Sequence, residues 1–392
     1  MHVVILSWKG GENDPFTPFN AALASYLEDG GKRTRTLQLT DPQWPSQLQD
    51  LAQDGIDFVF THQGFGTNLT VGEHQVNLWE VLGVPLVIYH GDHPSHMPSH
   101  HVLDIRSCAH LYSTREFSLY ASKHFRKRTR ALVVPPPLFC LDLPLGERHG
   151  DYFVLAKNVT PTEETVDQWR ANLDPRIFQV FMAGVETLTA ALAQDAHVDT
   201  HGVLDDLLEA QGEAVVHPLA NPDLFHLFHA HLDLFARNHV SLSVVEALRD
   251  VPLQVHGRGW TAQAKAGNPR HQFFRGRDLA HSQSLYYSNF GIVDVTPSMT
   301  GIHDRTLRAL RNETPFLSSA HLPGFLPDME AYEPLFYGFS GDDLREKAEA
   351  VMADPEGHAE RARAFSHDYQ RRAHPSEFVK TLDLIARTLD RR

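Results

Sequence analysis

Apolar runs of strand length recur through the first third of the chain, and several are followed by a stretch of helical pattern. Residues 3–7 (VVILS), 34–39, 55–61 (GIDFVFT) and 84–89 (VPLVIY) are such runs. A run that is apolar at nearly every position leaves no face for water, which fits a central strand of a parallel sheet covered on both sides. The segment FNAALASYLEDGG, led in by Pro15 and Pro18 and closed by Gly30 and Gly31, reads as the first covering helix. Residues 109–113 and 131–134 supply the last strands. Strands alternating with helices predict a Rossmann-like α/β domain. Ligands in such sheets sit beyond the carboxyl ends of the strands. That rule gathers residues 9–14, 62–66 and 90–93 around one cleft.

Pro135, Pro136, Pro137 and Pro144 then break regular structure. We place the boundary at 148/149, giving an N-terminal domain 1–148, a second domain 149–375 and a helix at 376–392. Residues 151–156 (DYFVLA) start a second α/β unit. Residues 162–249 carry little strand signal and several helical patterns, among them PRIFQVFMAGVETLTAALAQ and PDLFHLFHAHLDLFARNHV. They read as a helical insertion of three to five helices. Strand signals resume at 251–255 and 292–295, then at 315–318 and 335–339. Helices are expected at 281–288, 302–311, 342–352, 355–369 and 376–389. No internal repeat or low-complexity segment is evident.

A chain of 392 residues holds two domains of ordinary size. Its formal charge of −14 argues against a general nucleic-acid or membrane-surface binder. The one dense basic run, KHFRKRTR at 123–130, reads as a solvated helix end or a local basic site. Cys108 and Cys140 make neither a disulfide framework nor a zinc–thiolate site and fit a reducing compartment. The opening MHVVILSWKGG lacks the regions of a signal peptide, and no run approaches 18 apolar residues. A cytoplasmic protein without an integral membrane segment is expected.

The stretch GIVDVTPSMTGIHDRTLRALRNETP at 291–315 carries the strongest functional signal. A short strand, a tight loop and a helix start follow one another. The unpaired N–H groups and positive dipole end of such a helix suit an anion. His303 and Arg305 add polar and cationic groups there. An ordinary αβ unit with solvated side chains is the competing reading.

With the preceding LYYSNF, this stretch resembles the donor-binding half of GT-B glycosyltransferases, in the branch of the CgeB-like proteins (glycosyltransferase group 1). The resemblance runs from about residue 253 onward and is weaker across the first half. It implies two Rossmann-like domains facing a cleft, with the 376–392 helix packing back on the first domain. It implies transfer of a sugar from a nucleotide-sugar donor to a hydroxyl acceptor, with no cofactor and no metal in catalysis. His303 and Arg305 then match the phosphate-binding helix. His256-Gly257-Arg258-Gly259-Trp260 matches a G-x-G-W beside the nucleotide, and Arg275 falls in a further strand-end loop near the base. Where the wider group carries a glutamate near the end of the phosphate helix, this chain has Glu313, past the helix in a turn.

Several residues carry chemistry on their own terms. Two glycines in the Gly257–Gly259 loop let backbone approach a ligand closely, and turn geometry explains them equally. Arg305 offers a permanent, bidentate phosphate contact. Asp92 or His93, in His90-Gly91-Asp92-His93-Pro94, fits a general base for the acceptor hydroxyl. Glu12, in the loop after the first strand, is a second candidate base. His96, His100 and His101 follow closely, so a metal site, and with it a metal-dependent hydrolase, is the rival reading. A polar loop with structural histidines is the third. His226, His229 and His231 sit on a helical pattern dominated by core residues. A sugar-nucleotide-binding scaffold without turnover is the non-enzymatic alternative.

Overall fold

The computed structural model describes the chain except residues 1, 9–15, 104, 126–129, 138–149, 195–197, 212–218, 220, 277–278, 297–300, 320–321, 323–324 and 390–392. Contacts divide it into two compact units. Unit 1 is Met1–Leu141 with Tyr369–Arg392, and unit 2 is Asp142–Asp368. The boundary read from sequence at 148/149 lies outside the described residues.

Unit 1 is built on β1 (His2–Ser7), β2 (Arg33–Gln38), β3 (Ile56–His62), a small hairpin of β4 (Thr70–Val71) and β5 (Val76–Asn77), then β6 (Leu86–His90), β7 (Cys108–Tyr112) and β8 (Arg130–Val133). Its six-stranded sheet has the order β2-β1-β3-β6-β7-β8, and every pairing is parallel. Alternation along the strands sorts the core onto two faces. Val3, Ile5, Phe58, Phe60, Val87, Tyr89 and Leu111 pack with Leu23 and Leu27 on one side. Val4, Leu6, Val59, Leu86, Ile88 and Cys108 pack with Leu48, Leu51 and Trp79 on the other. The first face also receives Phe378, Leu382, Ile385 and Ala386 from the Pro375–Thr388 helix. Lys32 Nζ ties that helix down by an ion pair with Asp383 at 2.7 Å.

Unit 2 is built on β9 (Phe153–Ala156), β10 (Leu253–His256), β11 (His271–Phe274), β12 (Gly291–Asp294) and β13 (Phe316–Ser318). The order is β11-β10-β9-β12-β13, all parallel. The chain steps outward from β9 to β11, then returns to the other side of β9, so the strand order reverses between β9 and β12. The connection from β9 to its neighbour β10 carries the helices Thr162–Asn172, Pro175–Gln194, Thr200–Ala210 and Pro222–Ala247 among the described residues. Pro175–Gln194 is long and apolar enough to cross a membrane. It contributes Val180, Phe181, Leu188 and Leu192 to the core of unit 2.

One expected strand is corrected. Residues 335–339 form only an isolated parallel bridge, Ser318 with Phe336. The preceding turn Met329–Leu335 contains Pro334, and the chain then swings Tyr337 and Phe339 into the core. Tyr337 OH donates to the Asp294 carbonyl at 2.8 Å, so the apolar pattern reflects filling of space beneath β12 rather than a ladder.

Candidate functional site

The point of strand reversal in unit 2 brings the ends of β9 and β12 side by side, the position at which open α/β sheets hold their ligands. β12 ends in Asp294, whose side chain is fully buried. A buried carboxylate persists only when paired and hydrogen-bonded. Asp294 accepts from Thr306 Oγ1 at 2.8 Å, from Thr296 Oγ1 at 3.2 Å and from Arg305 Nη1 at 3.3 Å. Burial alone raises its pKa. His303, Arg305 and the Thr306 bond outweigh burial and hold it below the usual carboxylate range.

The helix Asp304–Arg311 starts here, with His303 at its N-cap. His303 does not use its ring as a cap. Its Nδ1 lies 2.5 Å from Asp304 Oδ1 and 3.1 Å from Arg305 Nη1. Arg308 closes the first turn on Asp304 at 2.5 Å and stacks over Tyr286. Both contacts of Arg305 fall on Nη1. Its Nε and Nη2 carry three further N–H donors and make no protein contact among the described residues. Residues 297–300 of the preceding loop lie outside the described residues.

β9 ends at Ala156, so Lys157 is the first residue beyond it. Its Nζ makes no hydrogen bond or ion pair among the described residues. Burial lowers its pKa to about 7, helped by the fields of Arg305 and Arg237, against the opposing pull of Asp294 and Asp233. Asp233 and Arg237 come from the Pro222–Ala247 helix, where they pair at 2.7 Å. A cation that is partly desolvated and set among other cations is poised to gain an anion.

Sequence reasoning missed Lys157 and Asp294. Asp294 had a signal, an acid inside the apolar run GIVDV. Lys157 had only its place after a strand.

The other donor-side residues fall differently. A Cβ on Gly257 would lie 1.9 Å from the Lys157 carbonyl oxygen, and one on Gly259 would lie 1.8 Å from that of Val159. Gly259 also has φ +90°. The backbone of 157–159 runs against this loop, with Lys157 N donating to the His256 carbonyl at 3.0 Å and Val159 N to that of Arg258 at 3.0 Å. Both glycines are therefore accounted for by the approach of protein backbone, and they fix the turn that carries Lys157. Trp260 Nε1 donates to the Lys157 carbonyl at 2.8 Å and reinforces it. Arg275 is exposed just past edge strand β11, two strands from β9. Glu313 lies past the far end of the Asp304–Arg311 helix, at φ +50°, and pairs with Arg363 at 2.8 Å. Eight helical residues, about 12 Å, separate that end from His303.

A cavity of about 490 Å³ in unit 2 is lined by Gly150, Phe290, Pro315, Glu356 and Arg363, among others. These residues precede the strands or flank their amino ends, so the cavity lies at the opposite end of the sheet from Lys157 and Asp294.

In unit 1, Asp92 follows β6 and is exposed, accepting from Gln63 Nε2 at 2.7 Å. His93 is buried. Its Nδ1 accepts from Ser95 N at 3.2 Å, capping the turn Pro94–His96, and its ring packs on Phe117 and Tyr120. Asp92 is thus the member of the pair that faces solvent. His100 Nδ1 bonds the Gln63 carbonyl. His90 and His101 turn instead into the core and meet His110. In unit 2, His229 pairs with His201 at 3.2 Å and His231 accepts from Trp169 Nε1 at 3.0 Å. Glu12 lies outside the described residues.

Two Rossmann-like units, the first completed by a helix that follows the second in sequence, define the GT-B fold. No protein-family model matches the sequence, and no curated protein matches it. Solved structures match in fold along nearly their whole length. T4 phage β-glucosyltransferase, in complex with its UDP-glucose substrate, superposes with a TM-score of 0.53 at 8% identity, over 98% of this chain and 99% of that one. Sucrose-phosphate synthase from Thermosynechococcus elongatus gives 0.52 at 11% identity, over 99% of each chain. The phage enzyme, described as DNA-modifying, is also known in complex with UDP and Mn2+.

Proposed function

We propose that the protein is a glycosyltransferase that moves a sugar from a nucleotide-sugar donor to a hydroxyl acceptor. The observation that carries this reading is the convergence of Lys157, Arg305 and His303 on buried Asp294 at the strand reversal of unit 2. The fold's likeness to UDP-glucose-binding enzymes supports the donor class.

The donor diphosphate binds at the start of the Asp304–Arg311 helix. Arg305 presents Nε and Nη2 to its oxygens while Asp294 holds Nη1 and fixes the guanidinium plane. Lys157 supplies a second cation, and His303 a hydrogen bond. As the bond between sugar and phosphate breaks, negative charge grows on the departing diphosphate. Cations already in position stabilise that charge without reorganising. With two side-chain cations in this role, transfer proceeds without a metal. On the acceptor side Asp92 takes the hydroxyl proton, with Gln63 orienting its carboxylate. The net charge of −14 disfavours a nucleic acid as acceptor.

The test is a thermal-shift screen against UDP, GDP, CDP, TDP and their sugars, with release of free nucleotide measured alongside. A ligand that binds only the folded state raises Tm by mass action. A shift with one diphosphate, lost in Arg305→Ala, supports the donor site. Binding without nucleotide release across a broad acceptor panel would favour a non-catalytic scaffold, and no shift in folded protein would overturn the reading.

A further inference from the structure

Three histidines of unit 1 occupy a place in the core where the neighbouring side chains are apolar. β6 and β7 pair in parallel with Ile88 opposite His110 and His90 opposite Tyr112. Because side chains alternate along a strand, Leu86, Ile88 and His90 share a face with Cys108, His110 and Tyr112. The aliphatic layer formed by Leu86, Ile88 and Cys108 thus changes to imidazole at its carboxyl end. The turn Pro98–His100 returns the chain over this face and delivers His101. His90, His101 and His110 are 1%, 2% and 0% exposed.

One nitrogen of each ring lies within 4.8 Å of those of the other two. His90 Nε2 and His110 Nδ1 are 2.9 Å apart, with the two rings only 6° from parallel, so they meet edge to edge. Two of the outer nitrogens have partners of their own. His110 Nε2 faces Cys108 Sγ at 3.8 Å, and His101 Nδ1 faces Tyr112 OH at 3.0 Å. These partners fix the orientation of the His110 and His101 rings, as outer hydrogen-bond partners commonly do for metal-ligating imidazoles, while the near nitrogens of His90 and His110 share one hydrogen bond whose proton a metal ion would displace.

We infer that His90, His101 and His110 form a buried binding site for a divalent late-transition metal of the zinc class, separate from the proposed donor site. Zinc bound by imidazole at about 2.0–2.1 Å spaces its nitrogens by about 3.3 Å in a tetrahedral set. The His90–His110 pair reaches that spacing by opening a few tenths of an ångström, with His101 closing in. Three neutral imidazoles and one water complete the coordination. Because the rings are enclosed, a substrate has no route to the ion. Its role is to pin β6, β7 and the 91–107 connection together, and so to hold Asp92, two residues beyond His90.

The experiment uses full-length, tag-free protein. Metal content is measured by mass spectrometry, chelator-treated protein is titrated with Zn2+ and Co2+, and Tm is followed. The expected result is one metal per chain, a Co2+ visible spectrum of four-coordinate nitrogen ligation, and a rise in Tm with Zn2+. His101→Phe and His110→Phe, which keep an aromatic ring in place, lose all three. Metal-free wild-type protein with no Co2+ spectrum and no Zn2+-dependent Tm change overturns the site, whether or not the variants fold. Retention of stoichiometric metal by folded His101→Phe also overturns it, because the ion would then sit on exposed histidines.

Discussion

The proposed role of Lys157 ties donor binding to pH in a way that can be worked through. Burial, with Arg305 and Arg237, lowers its pKa from 10.5 to about 7 in the ligand-free protein. A diphosphate beside it returns negative charge and favours the ammonium form. Binding above pH 7 must therefore take up a proton, and the apparent Kd rises toward tenfold per pH unit. Half the lysines are charged at pH 7 and about one in a hundred at pH 9, so affinity falls by about 50-fold between them, or about 2.3 kcal/mol. A sugar nucleotide is the right probe, since its diphosphate is esterified at both ends and does not titrate in this window. Isothermal titration in buffers of different ionisation heat reads the proton directly, with about half a proton taken up at pH 7 and nearly one at pH 9. Lys157→Met should bind more weakly at pH 6 and show neither the slope nor the proton. A flat wild-type profile, or an equal slope in Lys157→Met, would refute the argument. The same shift acts on folding. The unfolded lysine keeps its proton to about 10.5 while the folded one releases it near 7. Stability from this group therefore grows as pH rises from 7 toward 10.5 and is lost as pH falls through 7.

Other expectations follow from the same geometry. Arg305→Ala removes charge-assisted hydrogen bonds to the diphosphate and should weaken binding about 10–100-fold by titration of the folded variant. It also takes one cation from buried Asp294, so the Tm of the free protein should fall. Asp294→Asn leaves Arg305 and His303 without their buried counter-charge. Since Arg305 is partly solvated, we expect a loss near the low end of about 3–5 kcal/mol in urea unfolding, partly restored by added diphosphate. Gly259→Ala sets a methyl against the Val159 carbonyl at a φ of +90°, and should cost stability by about 1–3 kcal/mol or more while moving Lys157, so that donor affinity falls with it. Leu382→Ala, in the helix that completes the core of unit 1, should cost about 2–5 kcal/mol in urea unfolding.

Much of the architecture was legible because parallel strands covered on both faces leave a simple mark. Val3–Leu6, Phe58–Phe60 and Leu86–Tyr89 are apolar position after position, and all are buried. The helical insertion was legible for the complementary reason, since residues 162–249 carry helix periodicity without strands. The place of Arg305 and His303 at a helix start could be read from the strand–loop–helix pattern. Lys157 could not, because its meaning depends on β9 lying beside β12, a pairing between residues far apart in sequence. The glycines at 257 and 259 were visible as a close approach, but the partner in that approach is the 157–159 backbone. The histidines show the same limit. His90 and His101 stood out in a crowded loop, while His110, on the neighbouring strand, read as core until register set it opposite Ile88.

The Pro375–Thr388 helix has a consequence for biosynthesis. The face of the first sheet that holds Val3, Phe58 and Leu111 is partly covered by Leu23 and Leu27, and its cover is completed only after Phe378, Leu382 and Ile385 have been made. Unit 2, with roughly 230 residues, is synthesised in between. At about 5–20 residues per second that is about 10–45 s during which the first sheet waits with one apolar face incomplete. The usual order of N-terminal domain first is thus inverted. Unit 2 is contiguous and can close on the ribosome, whereas the core around Tyr89 in unit 1 is completed last, when the final helix docks.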